Sequence, residues 1–336
     1  MPCAVIDTPG SRLQLRARRL EILGPTVPDA APPLPAIIPI HGLDHVVVHE
    51  HAQVTSQALG ALLREGIPVH LVSESGRHLG SCEPTARPAA ATRLLQYQRT
   101  LEPTWCLTIS RALVAAKLAN QRRILLRALK NRPRPIDAAV AALLHREAQA
   151  HTAPDLDTLR GIEGAATALY FSAWAEFLPP EFPFQRRSTR PPLNAVNACL
   201  GFGAALVASE LTSALHRTGL DPGLGALHTT QDARWSLALD LIEPFRPAVI
   251  EAFTLRLFTH RMLSAEDFEA RDGGTYLTQQ GRQTFMEHYQ TRVVREFYCD
   301  HLGHRTTVRR LFHSAAEAVK NVLSAPEEYR PFVLNA

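Results

Sequence analysis

The apolar residues of this chain change their period once, near residue 85, and that change limits the fold more than any other feature. Before it, AVIDTPG, SRLQLRARRLEIL, HVVVHEHAQVT and GIPVHLVSESGRHLGS alternate apolar with polar residues or run in β-branched stretches broken by glycine, as half-buried strands do. After it, ATRLLQYQRTL, LTISRALVAAKLANQRRILLRAL, PIDAAVAALLHREAQA and TLRGIEGAATALYFSAWAEFL repeat apolar residues at three and four with little β-branching, as helices do. A strand buries every second side chain and a helix buries a stripe, so the two patterns build separate cores. The sequence therefore predicts an α+β chain: a β domain over residues 1–85 and a larger all-α domain over 86–336, with the border near Glu83 to Pro88. One short helix is expected inside the first, at VTSQALGALLREG, where Leu59, Leu62 and Leu63 stand at helical spacing. GPTVPDAAPPLPAIIP, residues 24–39, holds six prolines and reads as an extended surface loop.

With 336 residues, 46% of them apolar and 20% charged, the chain can bury two sizeable cores. Its longest apolar stretch, Ala195 to Leu211, is interrupted by Asn197, Ser209 and Glu210, which argues against a membrane-spanning helix. The start, MPCAVIDTPG, lacks the basic, apolar and small-residue sequence of a signal peptide, so a cytoplasmic protein without membrane attachment is expected. Five cysteines stand singly with no CxxC pair, which suits reduced thiols and not a zinc cluster or disulfide framework. The net charge is only +4, but between Arg87 and Arg134 eleven Arg or Lys residues face a single acid, Glu102. Such a stripe is either a solvated helix face or a seat for a polyanion, nucleic acid above all.

Candidate chemistry lies in three places. LRGIEGAATALYFSAWAEFL, residues 159–178, sets Glu163 between two glycines at the mouth of an apolar helical run, where an acid either complements the helix dipole or serves a site. GLDPGLGALHTTQDARWSLALDLIEPFRP, residues 219–247, places His228 after a Gly/Pro-rich loop and Asp240 and Glu243 three apart on an expected helix starting near Arg234 or Trp235. That spacing puts both carboxylates on one face, about 5–6 Å apart at Cβ, where they repel unless a cation lies between them or an arginine, Arg234 or Arg246, pairs with one. His228 alone reads as a loop histidine or a ligand. In FQRRSTRPPLNAVNACLGFG, Arg186, Arg187 and Arg190 crowd before Pro191 and Pro192, which are expected to open a helix bearing Asn194 and Asn197; the arginines suit phosphate recognition, and the asparagines suit either capping or DNA contact.

The order LRGIEG…YF, RPPLNAVNACLGFG, LTSALHRTGLDPGLGALH and SLALDLIEPFRP resembles the CRISPR-associated integrase, the family of CRISPR-associated protein one. The similarity extends upstream into IPIHGLDHVVVHEHAQVTSQALGALLREGIPVHLVSESGRHLGS and downstream into YLTQQGRQTF. The resemblance implies an N-terminal β-sandwich that dimerises and a larger α-helical catalytic domain. It implies metal ligation by Glu163, His228 and Glu243, with Asp240 as the neighbouring catalytic acid, and close approach of DNA at Gly161 and Gly164. Two carboxylates and an imidazole make a hard, oxygen-rich site suited to Mg²⁺ or Mn²⁺ more than to zinc. The implied reaction is transesterification, joining the 3′-hydroxyl ends of a double-stranded prespacer to CRISPR repeat DNA, or hydrolysis when water attacks. The implied partners are a second copy of the chain and CRISPR-associated protein two, and the implied DNA contacts are Arg187, Arg190, Asn194 and Asn197. An integrase of a mobile element and a general metal-dependent nuclease acting on branched DNA are the alternatives.

Overall fold

The computed structural model describes residues 4–25, 34–43, 45–73, 78–84 and 89–335, which divide into two compact units, Met1–Pro88 and Ala89–Ala336. The expected border between residues 85 and 86 lies outside the described residues.

The first unit carries β1 (Ala4–Ile6), β2 (Arg12–Arg16), β3 (Arg19–Leu23), β4 (Ala36–Ile38), β5 (Val46–His49), β6 (Gln53–Val54), α1 (Ser56–Arg64), β7 (Val69–Val72) and β8 (His78–Cys82). They form two four-stranded sheets, ordered β1-β5-β7-β8 and β4-β3-β2-β6. In the first, β1, β5 and β7 run parallel and β8 returns antiparallel; in the second, β2 and β3 make a hairpin that pairs Leu13 with Ile22. α1 begins at Thr55, whose hydroxyl accepts from the Ala58 amide, and leads from β6 toward β7, as its leucine spacing predicted. Leu13 and Leu20 from one sheet, Val46 and Val69 from the other and Leu62 from α1 fill one core, each worth about 1.5–3 kcal/mol when buried. The proline-rich stretch is not wholly a loop. Ala36–Ile38 forms β4 at a sheet edge, where Pro35 and Pro39 flank the strand and remove no central hydrogen bond; residues 26–33 lie outside the described residues.

The second unit consists of α2 (Ala90–Thr100), α3 (Pro103–Asn131), α4 (Asp137–Thr152), α5 (Leu156–Ala175), α6 (Ala195–Thr218), α7 (Ser236–Phe245), α8 (Ala252–Thr259), α9 (Gln279–Val294) and α10 (Val308–Asn321). It is not all-α, because β9 (Phe268–Arg271) with β10 (Gly274–Leu277) and β11 (Phe297–Cys299) with β12 (His304–Thr306) form two hairpins. The first turns on Asp272 and Gly273, both at positive φ (50° and 73°), the tight turn that an Asp-Gly pair favours. α3 is the spine, packing against α4, α5 and α7. Most of the basic stripe is spent on contacts within the unit: Arg93 donates to Gly219 O, Arg111 to Ala153 O, Arg123 to Leu334 O and Arg134 to Glu176 O, while Arg99 and Arg122 pair with Glu102 and Glu147. α6 is long and apolar enough to cross a bilayer, but 72% of its apolar window is buried within the protein. Asn194 caps it at the start, accepting from the Asn197 amide, and Gly219 ends it in the left-handed conformation at φ 82°. Pro191 and Pro192 therefore lie before that helix and do not open it.

Candidate active site

α7 explains how the acids come together. Pro244 and Pro247 lack amide hydrogens, so the helical ladder loses donors there, and the chain runs on from α7 into a π-helical turn, Arg246–Glu251. Glu243 and Arg246 meet across this junction: Arg246 Nε donates to Glu243 Oε1 at 2.9 Å. Asn120 of α3 pins the junction by donating to the Pro244 carbonyl at 2.8 Å.

Glu163 stands in mid-helix, because α5 starts upstream of the expected point, at the cap Asp155, whose carboxylate accepts from the Thr158 amide. Its position owes nothing to the helix dipole, which acts within the first turn. What holds it is Lys117 of α3, which donates to Glu163 Oε1, with the Thr167 hydroxyl donating to the same oxygen at 3.0 Å. Lys117 Nζ also lies 2.6 Å from Glu243 Oε2, so one ammonium bridges an acid from α5 and an acid from α7. The bridge is buried: the side chains of Lys117 and Glu243 are 6% and 8% exposed. Burial opposes charge on Lys117, but Glu243 and Glu163 outweigh it and hold its pKa above the usual lysine value. Burial likewise would raise Glu243, yet Arg246, Lys117 and His228 bring it down to about 2. A third acid, Glu251, is pushed up to about 7 by burial, only partly offset by Lys117, Tyr170 and Arg246. Lys117, Glu243, Arg246 and Glu251 line a cavity of about 130 Å³ with Thr167 and Arg187.

His228 and Asp240 form an adjoining unit. The Asp240 carboxylate is fully buried and accepts the backbone amides of Ala226, Leu227 and His228 at 2.5, 3.0 and 2.9 Å. Its Oδ1 also lies 2.6 Å from His228 Nδ1. Asp240 thus shapes the Gly/Pro-rich loop and fixes the ring, which leaves Nε2 as the nitrogen open to a ligand. Gly225 is required here, since a Cβ would come within 2.9 Å of Asp240 Oδ2. Among the described residues no three of His, Cys, Asp and Glu converge closely enough to hold a metal ion as they stand; Glu163 and Glu243 meet through Lys117, and His228 stands on Asp240.

The arginine loop divides. Arg186 and Arg190 are exposed, whereas Arg187 is drawn in, its Nη1 donating to Asn197 Oδ1 at 2.8 Å, and burial beside Arg246 lowers it to about 10. Asn197 is fully buried and also holds the Ser188 amide and the Arg186 carbonyl, so it organises this loop from inside, and Asn194 caps α6. Gly161 and Gly164 on α5 have open space where a Cβ would stand, leaving clear surface beside Glu163. Sequence reading missed Lys117 and Glu251. The signal for Lys117 was a lone lysine inside the apolar run LVAAKLANQ.

The profile of the family described as CRISPR associated protein Cas1 matches residues 4–291. The chain is 34% identical over 297 residues to CRISPR-associated endonuclease Cas1 3 of Thermus thermophilus, a match covering 88% of this chain and 87% of that one. Its fold is similar to that of a casposase bound to integration product (TM-score 0.85, 19% identity, 99% of this chain and 93% of that chain). It is similar as well to a chain of a Cas6-RT-Cas1–Cas2 complex (TM-score 0.80, 21% identity, 100% of this chain and 36% of that one). The mixed α+β architecture and the relatives named CRISPR-associated endonucleases define a protein of the DNA-endonuclease class. The chain belongs to the Cas1 family of CRISPR-associated proteins.

Proposed function

We propose that this CRISPR adaptation integrase inserts prespacer DNA into a CRISPR array by metal-dependent attack of a 3′-hydroxyl, with Glu163, Glu243 and Nε2 of His228 as the groups that hold Mg²⁺ or Mn²⁺. One observation carries the reading: carboxylates from α5 and α7 converge on a single buried positive charge, Lys117. The donor set fits a hard divalent ion in kind. Glu243 Oε2 fits it too, being buried and facing a cation, Lys117 Nζ at 2.6 Å.

Such an ion supplies Lewis-acid stabilisation of the phosphodiester oxygens and a more acidic attacking hydroxyl. The chain's residues prepare for it. Arg246 engages Oε1 of Glu243 and so turns Oε2 toward the shared cation position. Asp240 acts as a positioning residue, keeping the proton on Nδ1 of His228 and the lone pair on Nε2. Arg186 and Arg190, exposed on the loop before α6, are the phosphate contacts, and Arg187 with Asn197 supports them from behind. On this reading the β unit, a sandwich, forms the homodimer, and Cas2, which stands beside Cas1 in the name of one structural neighbour, joins two dimers to prespacer and repeat DNA in the cytoplasm.

The test is a joining assay: a labelled duplex with free 3′-hydroxyl ends, a supercoiled plasmid bearing a CRISPR array, the Cas2 partner, and Mn²⁺ present or chelated. Labelled plasmid that requires both metal and a free hydroxyl is expected. Glu163→Gln and His228→Ala should abolish joining and retain DNA binding; wild-type joining by either variant would overturn the metal assignment, and cutting without joining would favour a nuclease.

A further inference from the structure

On the other side of the π-helical turn lies a second cleft, of about 440 Å³, which shares no residue with the acid cluster. Arg246, Ile250 and Glu251 of that turn face the small cavity, and Ala248 and Val249 face the cleft. Its floor is apolar and aromatic, with Phe253, Leu311 and Phe332 buried and Phe297 and Tyr298 at the side. Around it stand Arg127, Arg256, Arg292 and Arg295, and no acid is among the described lining residues.

Four guanidinium groups without a carboxylate repel one another. Arg292 feels this most: burial first, then Arg256, Arg127 and Arg295, lower it to about 10. One of its nitrogens, Nη2, donates to the Ala248 carbonyl at 2.6 Å, while Nε is buried without a hydrogen-bond partner among the described residues. A buried, unpartnered N–H on a cation is a costly arrangement that an anionic acceptor would relieve. Guanidinium forks match phosphate oxygens, a monoester carries nearly two charges where a backbone diester carries one, and flat aromatic walls suit a base. The volume also falls in the usual range for small-molecule sites.

We propose that this cleft binds a nucleotide by its phosphate monoester, either a free deoxynucleoside monophosphate or the 5′-phosphorylated terminal nucleotide of a DNA strand. The four arginines take the phosphate, and the aromatic floor takes the base. The terminal-nucleotide source rests on the DNA-integrase reading above; the free-nucleotide source does not.

Calorimetric titration of the full-length protein tests it, with dAMP, deoxyadenosine, inorganic phosphate, and one short single strand carrying either a 5′-phosphate or a 5′-hydroxyl. dAMP is expected to bind more tightly than deoxyadenosine or phosphate, and Arg292→Gln and the exposed Arg295→Gln should each weaken it about tenfold or more. Glu163→Gln should leave it unchanged. A strand preferred for its 5′-phosphate, with the same sensitivity to the two substitutions, identifies the terminal nucleotide as ligand; equal binding of the two strands identifies the free nucleotide. The proposal is overturned if dAMP and the phosphorylated strand both fail to bind by about 1 mM, if phosphate alone binds as tightly as dAMP, or if both folded variants bind like wild type. A protein inactive in joining that still binds dAMP would overturn the integrase reading and leave the cleft standing.

Discussion

The acid cluster and the arginine cleft lie on opposite sides of one π-helical turn and treat buried charge in opposite ways. Around Glu163 and Glu243 every charge has a counter-charge: Lys117 bridges the two acids and Arg246 holds the second oxygen of Glu243. Around Arg292 the neighbours are cations, and no acid is among the described lining residues. A compensated cluster is an internal machine whose parts depend on one another, while an uncompensated one is a socket for a charge from outside. Removing a member should therefore hurt the first and relieve the second.

The largest effect should come from Lys117→Met, which leaves the buried Glu243 and the half-buried Glu163 facing each other without the cation they share. Urea unfolding at neutral pH should show a loss of about 3–5 kcal/mol. The double variant with Glu163→Gln should recover part of it, and Mn²⁺ should raise the unfolding midpoint of Lys117→Met more than that of wild type. Equal responses to Mn²⁺ would mean that Lys117 and a metal do not compete for the same carboxylates.

Next in size is the pH dependence of Glu251. Its folded pKa, about 7, exceeds its ordinary 4.5, so the folded state binds the extra proton; this stability is full below 4.5 and is lost as pH rises through 7. Lys117, Tyr170, Arg246 and Glu243 face it, and Glu251→Gln should cancel up to about 3 kcal/mol of that decline. Glu243 has the opposite sign: held at about 2, it adds stability above 4.5 that is lost as pH falls toward 2. Stability curves from pH 2 to 8 for wild type, Glu251→Gln and Glu243→Gln check the pair of signs.

Asp240→Ala orphans three amides of the His228 loop and should cost about 2–3 kcal/mol in thermal or urea unfolding, with Asp240→Asn costing less because one acceptor remains. The smallest effect belongs to the cleft: dAMP at about four times its Kd should stabilise wild type by about 1 kcal/mol and Arg292→Gln hardly at all. A cleft variant that loses as much stability as Lys117→Met would erase the contrast between the two regions.

Much of this was legible in the chain. The change of period marked two units, Leu59, Leu62 and Leu63 marked α1, and the pairing of Asp240 with Glu243 on one helix was readable from a spacing of three. The edge strand β4 was hidden because prolines dominate its flanks, and the hairpins of the helical unit were hidden because their strands are only three or four residues long. Asp-Gly at 272–273 was the missed signal.

Sequence alone determined which residues stand as candidates for the chemistry, because residue type and order need no folding to be read: Glu163, His228, Asp240, Glu243 and the arginines before α6. Only the tertiary structure decided how they are arranged. α5, α7 and α3 are distant in sequence, so nothing local says that Lys117 completes the pair Glu163–Glu243, that Asp240 orients His228 from a buried position, or that most of the basic stripe is taken up by contacts inside its own unit. Charges acquire partners through space, and in a low-dielectric interior the partner, more than the residue itself, sets what a charge does.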